Sequence, residues 1–277
     1  MHLQLLRSRP PHNSHVLRAE GSIPFRDKGR AIRVRWYRPN SVPPDEPLPV
    51  LINFHGSGFI LPFFGQDEEW CATVAERVGC LVVDADYRKA PEHPYPLGSE
   101  DAEDVALHIF AQNSARARPV CFSGCSAGGN LALSLTALLG PERISAVVAF
   151  YPSIDIFTDI AAVPPSIHMK SGVPLLHALM RHFIRCYVLP GTARTDLRLS
   201  PTFAWTEDMP PHVFVATGTA DPLYAAAERF MSRLNREGHL DAVFSSVEDA
   251  GHGFVMNSTP GKEAFSDAIN FLRKSVE

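Results

Sequence analysis

Gly124-Cys125-Ser126-Ala127-Gly128 sets a serine among small neighbours at the point where an apolar run, residues 119–122, gives way to a helical pattern from Gly129 onward. A serine hydroxyl is a weak nucleophile until a neighbouring base takes its proton. A sharp strand-to-helix turn lifts the hydroxyl out of a sheet and within reach of a base, and it leaves no room for side chains beside the serine. The helix that starts just after Ser126 also aims unpaired backbone N–H groups at any negative charge that develops there. Alone, the pattern also fits an ordinary glycine-rich turn, so the rest of the chain has to supply the partners.

A serine nucleophile needs a base, the base needs an orienting acid, and the oxygen that gains charge needs hydrogen-bond donors. Asp221 stands in Gly218-Thr219-Ala220-Asp221-Pro222-Leu223, just past an apolar run at 213–217. His252 stands in Ala250-Gly251-His252-Gly253-Phe254, after the next such run at 242–247. His55-Gly56-Ser57-Gly58-Phe59 follows a run ending at Phe54, and its small residues let the backbone approach a bound carbonyl closely. The expected donors are the amides of Ser57, Gly58 and Ala127, with Gly56 and His55 supporting the loop, His55 through ring hydrogen bonds. The apolar stretch at 59–64 is either core or a wall of the pocket.

The elements that must position these residues follow from periodicity. Residues 31–37 alternate like a half-buried strand, and 43–49 is a proline-rich connection. Short apolar runs at 50–54, 80–83, around 120, at 146–150, 213–217 and 242–247 fit parallel strands covered on both faces. Helical spacing separates them at 67–78, 98–112, 129–139, 225–237 and 262–274. Such alternation predicts an α/β protein with a mostly parallel, doubly wound sheet and helices on both faces. The 277 residues suit a single domain. Residues 156 to about 203 interrupt the pattern with a helix at 175–187 and no convincing strand. This insertion, together with residues 1 to about 20, is expected to form a small helical cap over the site.

With these residues in hand, the chain resembles the hormone-sensitive-lipase branch of the α/β-hydrolase fold, the arylacetamide-deacetylase-like carboxylesterases. The order Ser126, Asp221, His252 is the one α/β-hydrolases use. Asp86-Tyr87-Arg88-Lys89-Ala90-Pro91-Glu92-His93-Pro94, Asp221-Pro222-Leu223 and His252-Gly253-Phe254 are similar to that branch's further motifs, and the likeness runs from about residue 48 to the C-terminus. The resemblance implies Ser126 as nucleophile, His252 as base then acid, Asp221 as its orienting partner, a small-molecule ester as substrate, and neither metal nor organic cofactor. Three positions depart from the pattern. Ser57 stands where that branch usually has glycine, Cys125 where it usually has an acid, and Tyr224-Ala225 where a further acid is common.

Composition bounds the remaining classes. A formal charge of −4 and no run of like charges give no footprint for nucleic acid or for a polybasic membrane contact. No segment has the length of a membrane span, and the first residues carry no continuous apolar core, so a cytoplasmic location is expected. Five cysteines, at 71, 80, 121, 125 and 186, exclude a complete disulfide framework. His93, His108, His168, His177, His182 and His239 read as surface or structural residues. Glu100, Asp101, Glu103 and Asp104 read as a solvated helix start. Two rival functions use the same residues: a lactone- or thioester-processing enzyme of a biosynthetic pathway, and a small-molecule receptor without catalysis. The oligomeric state is open, a homodimer included.

Overall fold

The computed structural model describes residues 15–27, 29–113, 118–157, 173–254 and 259–277. Along the chain, β1 (Val16–Pro24) and β2 (Ala31–Pro39) precede an alternation of β3 (Val50–Phe54), α1 (Glu68–Val78), β4 (Leu81–Ala85), α2 (Leu97–Asn113), β5 (Val120–Cys125), α3 (Ala127–Leu139) and β6 (Ala146–Phe150). Then come α4 (Val173–Tyr187), β7 (His212–Gly218), α5 (Tyr224–Arg236), β8 (Asp241–Val247) and α6 (Thr259–Val276). The strands join one sheet in the order β1-β2-β4-β3-β5-β6-β7-β8. It is parallel from β4 through β8, with β2 antiparallel to β4 and β1 antiparallel to β2.

The unbroken apolar runs become strands because successive side chains point to opposite faces and both faces are covered. In β6, Ala146, Val148 and Phe150 join one core cluster while Val147 joins the other, as does Ala149. Helices α1 and α6 close the first face, and α2, α3 and α5 close the second. Strand order reverses between β3 and β5, so the connections leave in opposite directions and a crevice opens at the carboxyl ends of these two strands. No helix among the described residues is long and apolar enough to cross a membrane.

Two expectations are corrected. Residues 1 to about 20 are expected in the cap, yet Val16–Pro24 is the edge strand β1; residues 1–14 lie outside the described residues, as do 158–172 of the expected insertion and His168 within it. No alternating apolar pattern marks β1 because neither of its faces is buried along its length: Val16 packs into one core cluster, and Ile23, seven residues on and so on the opposite face, packs into the other. The acidic start of α2 is not solvated throughout, since Asp101 is 1% and Asp104 9% exposed. Asp101 accepts the Arg88 backbone N–H at 2.8 Å and pairs with Arg30, and Asp104 accepts the Arg26 backbone N–H at 2.9 Å. Their partners come from distant segments, which local sequence cannot display.

The core beneath the crevice holds a polar relay. Asn53 donates to Asp67 at 3.3 Å and to Asp84 at 2.9 Å, while its carbonyl accepts the Ser123 hydroxyl at 2.8 Å. Burial and then the Asp84 charge push the Asp67 carboxyl up to about 7, against the pull of the Asn53 amide. A carboxyl with a folded-state pKa above its unfolded value of about 4 binds extra proton in the folded state. Its stabilising contribution is therefore present below about pH 4 and is lost as pH rises toward 7. Asp67→Asn is expected to flatten this fall: urea unfolding from pH 4 to 7 should show a shallower loss of stability in the variant, and equal slopes would contradict the assignment.

Candidate active site

Each candidate side chain leaves the carboxyl end of a parallel strand: the 55–58 loop after β3, Ser126 after β5, Asp221 after β7 and His252 after β8. Backbones crowd where β3 meets the turn at Ser126. A Cβ on Gly128 would overlap the Phe54 carbonyl oxygen, and one on Gly124 would overlap the Gly128 carbonyl. Ser126 takes φ 52°, a left-handed conformation that a non-glycine residue holds only when its surroundings enforce it. Its N–H donates to Phe150 O at 2.9 Å, and its carbonyl accepts the Asn130 N–H at 3.0 Å.

His252 Nε2 lies 3.0 Å from Ser126 Oγ and Nδ1 lies 2.9 Å from Asp221 Oδ2. The buried Asp221 is fixed at its other oxygen too, which accepts the Leu223 N–H at 2.9 Å. With both carboxylate oxygens engaged, Nδ1 is the protonated nitrogen and Nε2 is left to accept from the serine. The loops carrying acid and histidine are tied together, with Thr219 N–H donating to Val247 O at 2.9 Å and Ala220 N–H to Ala250 O at 3.0 Å. Burial opposes the His252 imidazolium, but the Asp221 charge and hydrogen bond outweigh it, so the group sits above the ordinary histidine value.

Ser57 fits its loop without strain. The left-handed positions are Gly58, at φ 56°, and Phe59, at φ 63°, so glycine is not demanded at 57. The Ser57 hydroxyl accepts the Phe59 N–H at 2.9 Å and lies 2.7 Å from the Tyr87 hydroxyl, which donates to His55 O at 2.7 Å. His55 Nδ1 lies 2.9 Å from Gly56 O and Nε2 lies 3.4 Å from Asp86. The amides of Ser57, Gly58 and Ala127 find no acceptor among the described residues.

A cavity of about 290 Å³ opens over Ser126 and His252. Phe59, Leu61 and Phe63 form one wall, so the 59–64 run serves both core and pocket. Leu179, Met180, Phe183 and Ile184, one face of α4, form another. Among the described residues no charged Asp, Glu, Lys or Arg side chain lines it. The Phe183 ring lies against Gly58, and Tyr187 stacks on Phe59 with ring centroids 4.1 Å apart. Sequence reading missed Gln66, whose amide donates to Gly56 O at 2.6 Å, and Tyr151 beside His252. Neither carries a local signal, since both reach the site from loops of ordinary composition. No group of three or more His, Cys, Asp or Glu among the described residues could hold a metal ion.

Comparison with known proteins follows this geometry. A family model described as an alpha/beta hydrolase fold matches residues 51–256. The chain is similar to the carboxylesterase NlhH of Mycobacterium tuberculosis, 30% identical over 261 residues that cover 89% of this chain and 78% of the relative. It is also similar to an ethyl acetate hydrolase of Pseudomonas putida, at 28% identity over 85% of this chain and 79% of the relative. Among solved structures, a hyperthermophilic esterase from the archaeon Pyrobaculum calidifontis matches with a TM-score of 0.78 at 30% identity, over 97% of this chain and 88% of that one.

The crowding at the turn gives a sharp expectation. Gly128→Ala should destabilise the protein by more than the roughly 1–3 kcal/mol of ordinary overpacking, because the obstructing atoms are backbone. Gly251→Ala, whose added carbon meets nothing within 4 Å, should leave the urea midpoint unchanged. Equal midpoints for the two variants would refute the packing argument.

Proposed function

The chain belongs to the alpha/beta hydrolase family, and from that premise we propose that it is a serine hydrolase that cleaves carboxylic esters through an acyl-enzyme on Ser126. The observation that carries this reading is the line Asp221–His252–Ser126, at 2.9 and 3.0 Å. Ser126 Oγ attacks the ester carbonyl as His252 Nε2 takes its proton. Negative charge on the carbonyl oxygen is met by the amides of Ser57, Gly58 and Ala127, and one such donor is worth about 3 kcal/mol in the transition state. His252 returns the proton to the departing alcohol oxygen, then takes another from the water that releases the acid. Asp221 holds the imidazole in the needed tautomer and stabilises its charged form.

The apolar, uncharged cavity favours neutral esters of modest size, in keeping with relatives named for carboxylic esters and for ethyl acetate. Ser126→Ala should lower turnover of a short p-nitrophenyl ester by at least about a thousandfold with the fold intact. A fluorophosphonate probe should label the wild type and not the variant. Retained turnover in Ser126→Ala would sink the proposal, and the absence of any covalent adduct on the wild type would favour a receptor.

The base must be neutral to accept the serine proton, so a His252 raised by Asp221 loses activity from a higher pH downward than an ordinary histidine would. The acid limb of kcat/KM should lie above about pH 6.5. Asp221→Asn should move that limb to lower pH while cutting kcat severely, about ten-thousandfold where the tautomer is lost. A limb that stays in place would remove Asp221 from the role assigned here.

A further inference from the structure

The two candidate donors of the 55–58 loop each belong to a peptide group whose oxygen is taken twice. A peptide is planar and trans, so its N–H points opposite its C=O, and fixing the oxygen aims the hydrogen. Behind the Gly58 N–H stands Ser57 O, which accepts the Ile60 N–H at 3.1 Å and the Leu61 N–H at 2.8 Å from the turn that follows. Behind the Ser57 N–H stands Gly56 O, and among the described residues no backbone group holds it. It accepts from two side chains instead, His55 Nδ1 at 2.9 Å and Gln66 Nε2 at 2.6 Å, which together use both of its lone pairs. His55 rides on the loop itself and its ring reaches outside only to Asp86, at 3.4 Å. Tyr87 holds His55 O and the Ser57 hydroxyl, and neither contact grips the peptide between Gly56 and Ser57. Gln66 does so from outside the loop: its own N–H is held on Phe63 O at 3.0 Å, and Asp67 beside it is buried against the Asn53 amide.

We propose that Gln66 is a positioning residue that aims the Ser57 N–H at the ester oxygen by holding Gly56 O from behind. The inference rests on Ser126 acting as the nucleophile and on the Ser57 amide as a donor to the resulting oxyanion. The Gln66 amide, the Gly56–Ser57 peptide and the substrate oxygen then stand head to tail, and hydrogen bonds in such a line polarise and strengthen one another where water is excluded. The cavity that Gln66 lines is apolar on its facing wall, which favours that effect. A ground-state carbonyl oxygen carries little of the charge that the transition state places there, so the contribution of Gln66 belongs in kcat rather than in binding.

With a short p-nitrophenyl ester, Gln66→Leu is expected to lower kcat about tenfold with KM within about twofold, less than the roughly hundredfold or more that follows loss of a whole donor. Gln66→Glu keeps the length and shape of the side chain but sets a carboxylate oxygen against Gly56 O at about pH 8, so it should be at least as slow. A pair of ketones separates aiming from packing. Ser126 Oγ bonds to the carbonyl carbon of a trifluoromethyl ketone, the serine proton passes to His252 Nε2, and the π pair settles on the oxygen as a full charge. The methyl ketone of the same chain binds without that addition. Gln66→Leu should weaken inhibition by the trifluoromethyl ketone about tenfold and leave inhibition by the methyl ketone within about twofold. An unchanged kcat in Gln66→Leu, wild-type turnover in Gln66→Glu, or equal weakening of both ketones would each overturn the proposal. Where Gln66→Leu fails to fold, Gln66→Glu with the same two ketones decides. Wild type labelled by the fluorophosphonate probe, with Gln66→Leu at full rate, sinks this inference only; unlabelled wild type sinks the serine mechanism and this inference with it.

Discussion

Between the end of β3 and the start of α3 there is no room for one more carbon atom: Gly128 rests on the Phe54 and His55 carbonyls, and Gly124 rests on Gly128. This contact ties the loop carrying two candidate donors to the helix carrying the third. It also forces the turn that holds Ser126 at φ 52°. The sheet makes the contact possible, because β3 and β5 are adjacent where strand order reverses and their connections leave in opposite directions. Two core clusters, one on each face, hold the strands in the register that brings these backbones together. Strain at the turn is thus offset by packing many residues away.

Polarity in the site is narrowly confined. One side carries a fully paired line, with Asp221 held at both oxygens and His252 engaged at both nitrogens. The opposite side is aliphatic and aromatic, from Phe59, Leu61, Phe183 and Ile184. Hydrogen bonds in such apolar surroundings are stronger than the same bonds in water, and a bond left unmade costs more. Ser57 follows the same rule: its hydroxyl turns inward to Tyr87 and Phe59, so a side chain at a position usually filled by glycine stiffens the loop.

Much of this was legible in the sequence, for a physical reason. Ser126, Asp221, His252 and the 55–58 loop each sit beside small residues directly after an apolar run, so local composition marks them. The central strands are visible because burial on both faces leaves a continuous apolar stretch. What escaped depends on long-range contact. β1 buries one end on each face and shows no period, and Asp101 and Asp104 look solvated until Arg30, Arg88 and Arg26 arrive from segments far along the chain. Tyr151 and Gln66 gain meaning only from what they touch. Helix α4 was legible as a helix, but its contact with Gly58 was not.

The stack of Tyr187 on Phe59 ties α4 to one wall of the pocket. At that end, α4 is held by the stack on Phe59, next to the 55–58 loop, and by the Tyr95 N–H donated to Tyr187 O at 2.8 Å. A substitution there would move the loop that carries the candidate donors as well as the space, coupling selectivity to rate. Leu179 and Met180 line the cavity about two helical turns away. A lineage exploring new substrates has an inexpensive dial at 179 and 180, and a coupled one near 187 that cannot be turned without retuning the chemistry.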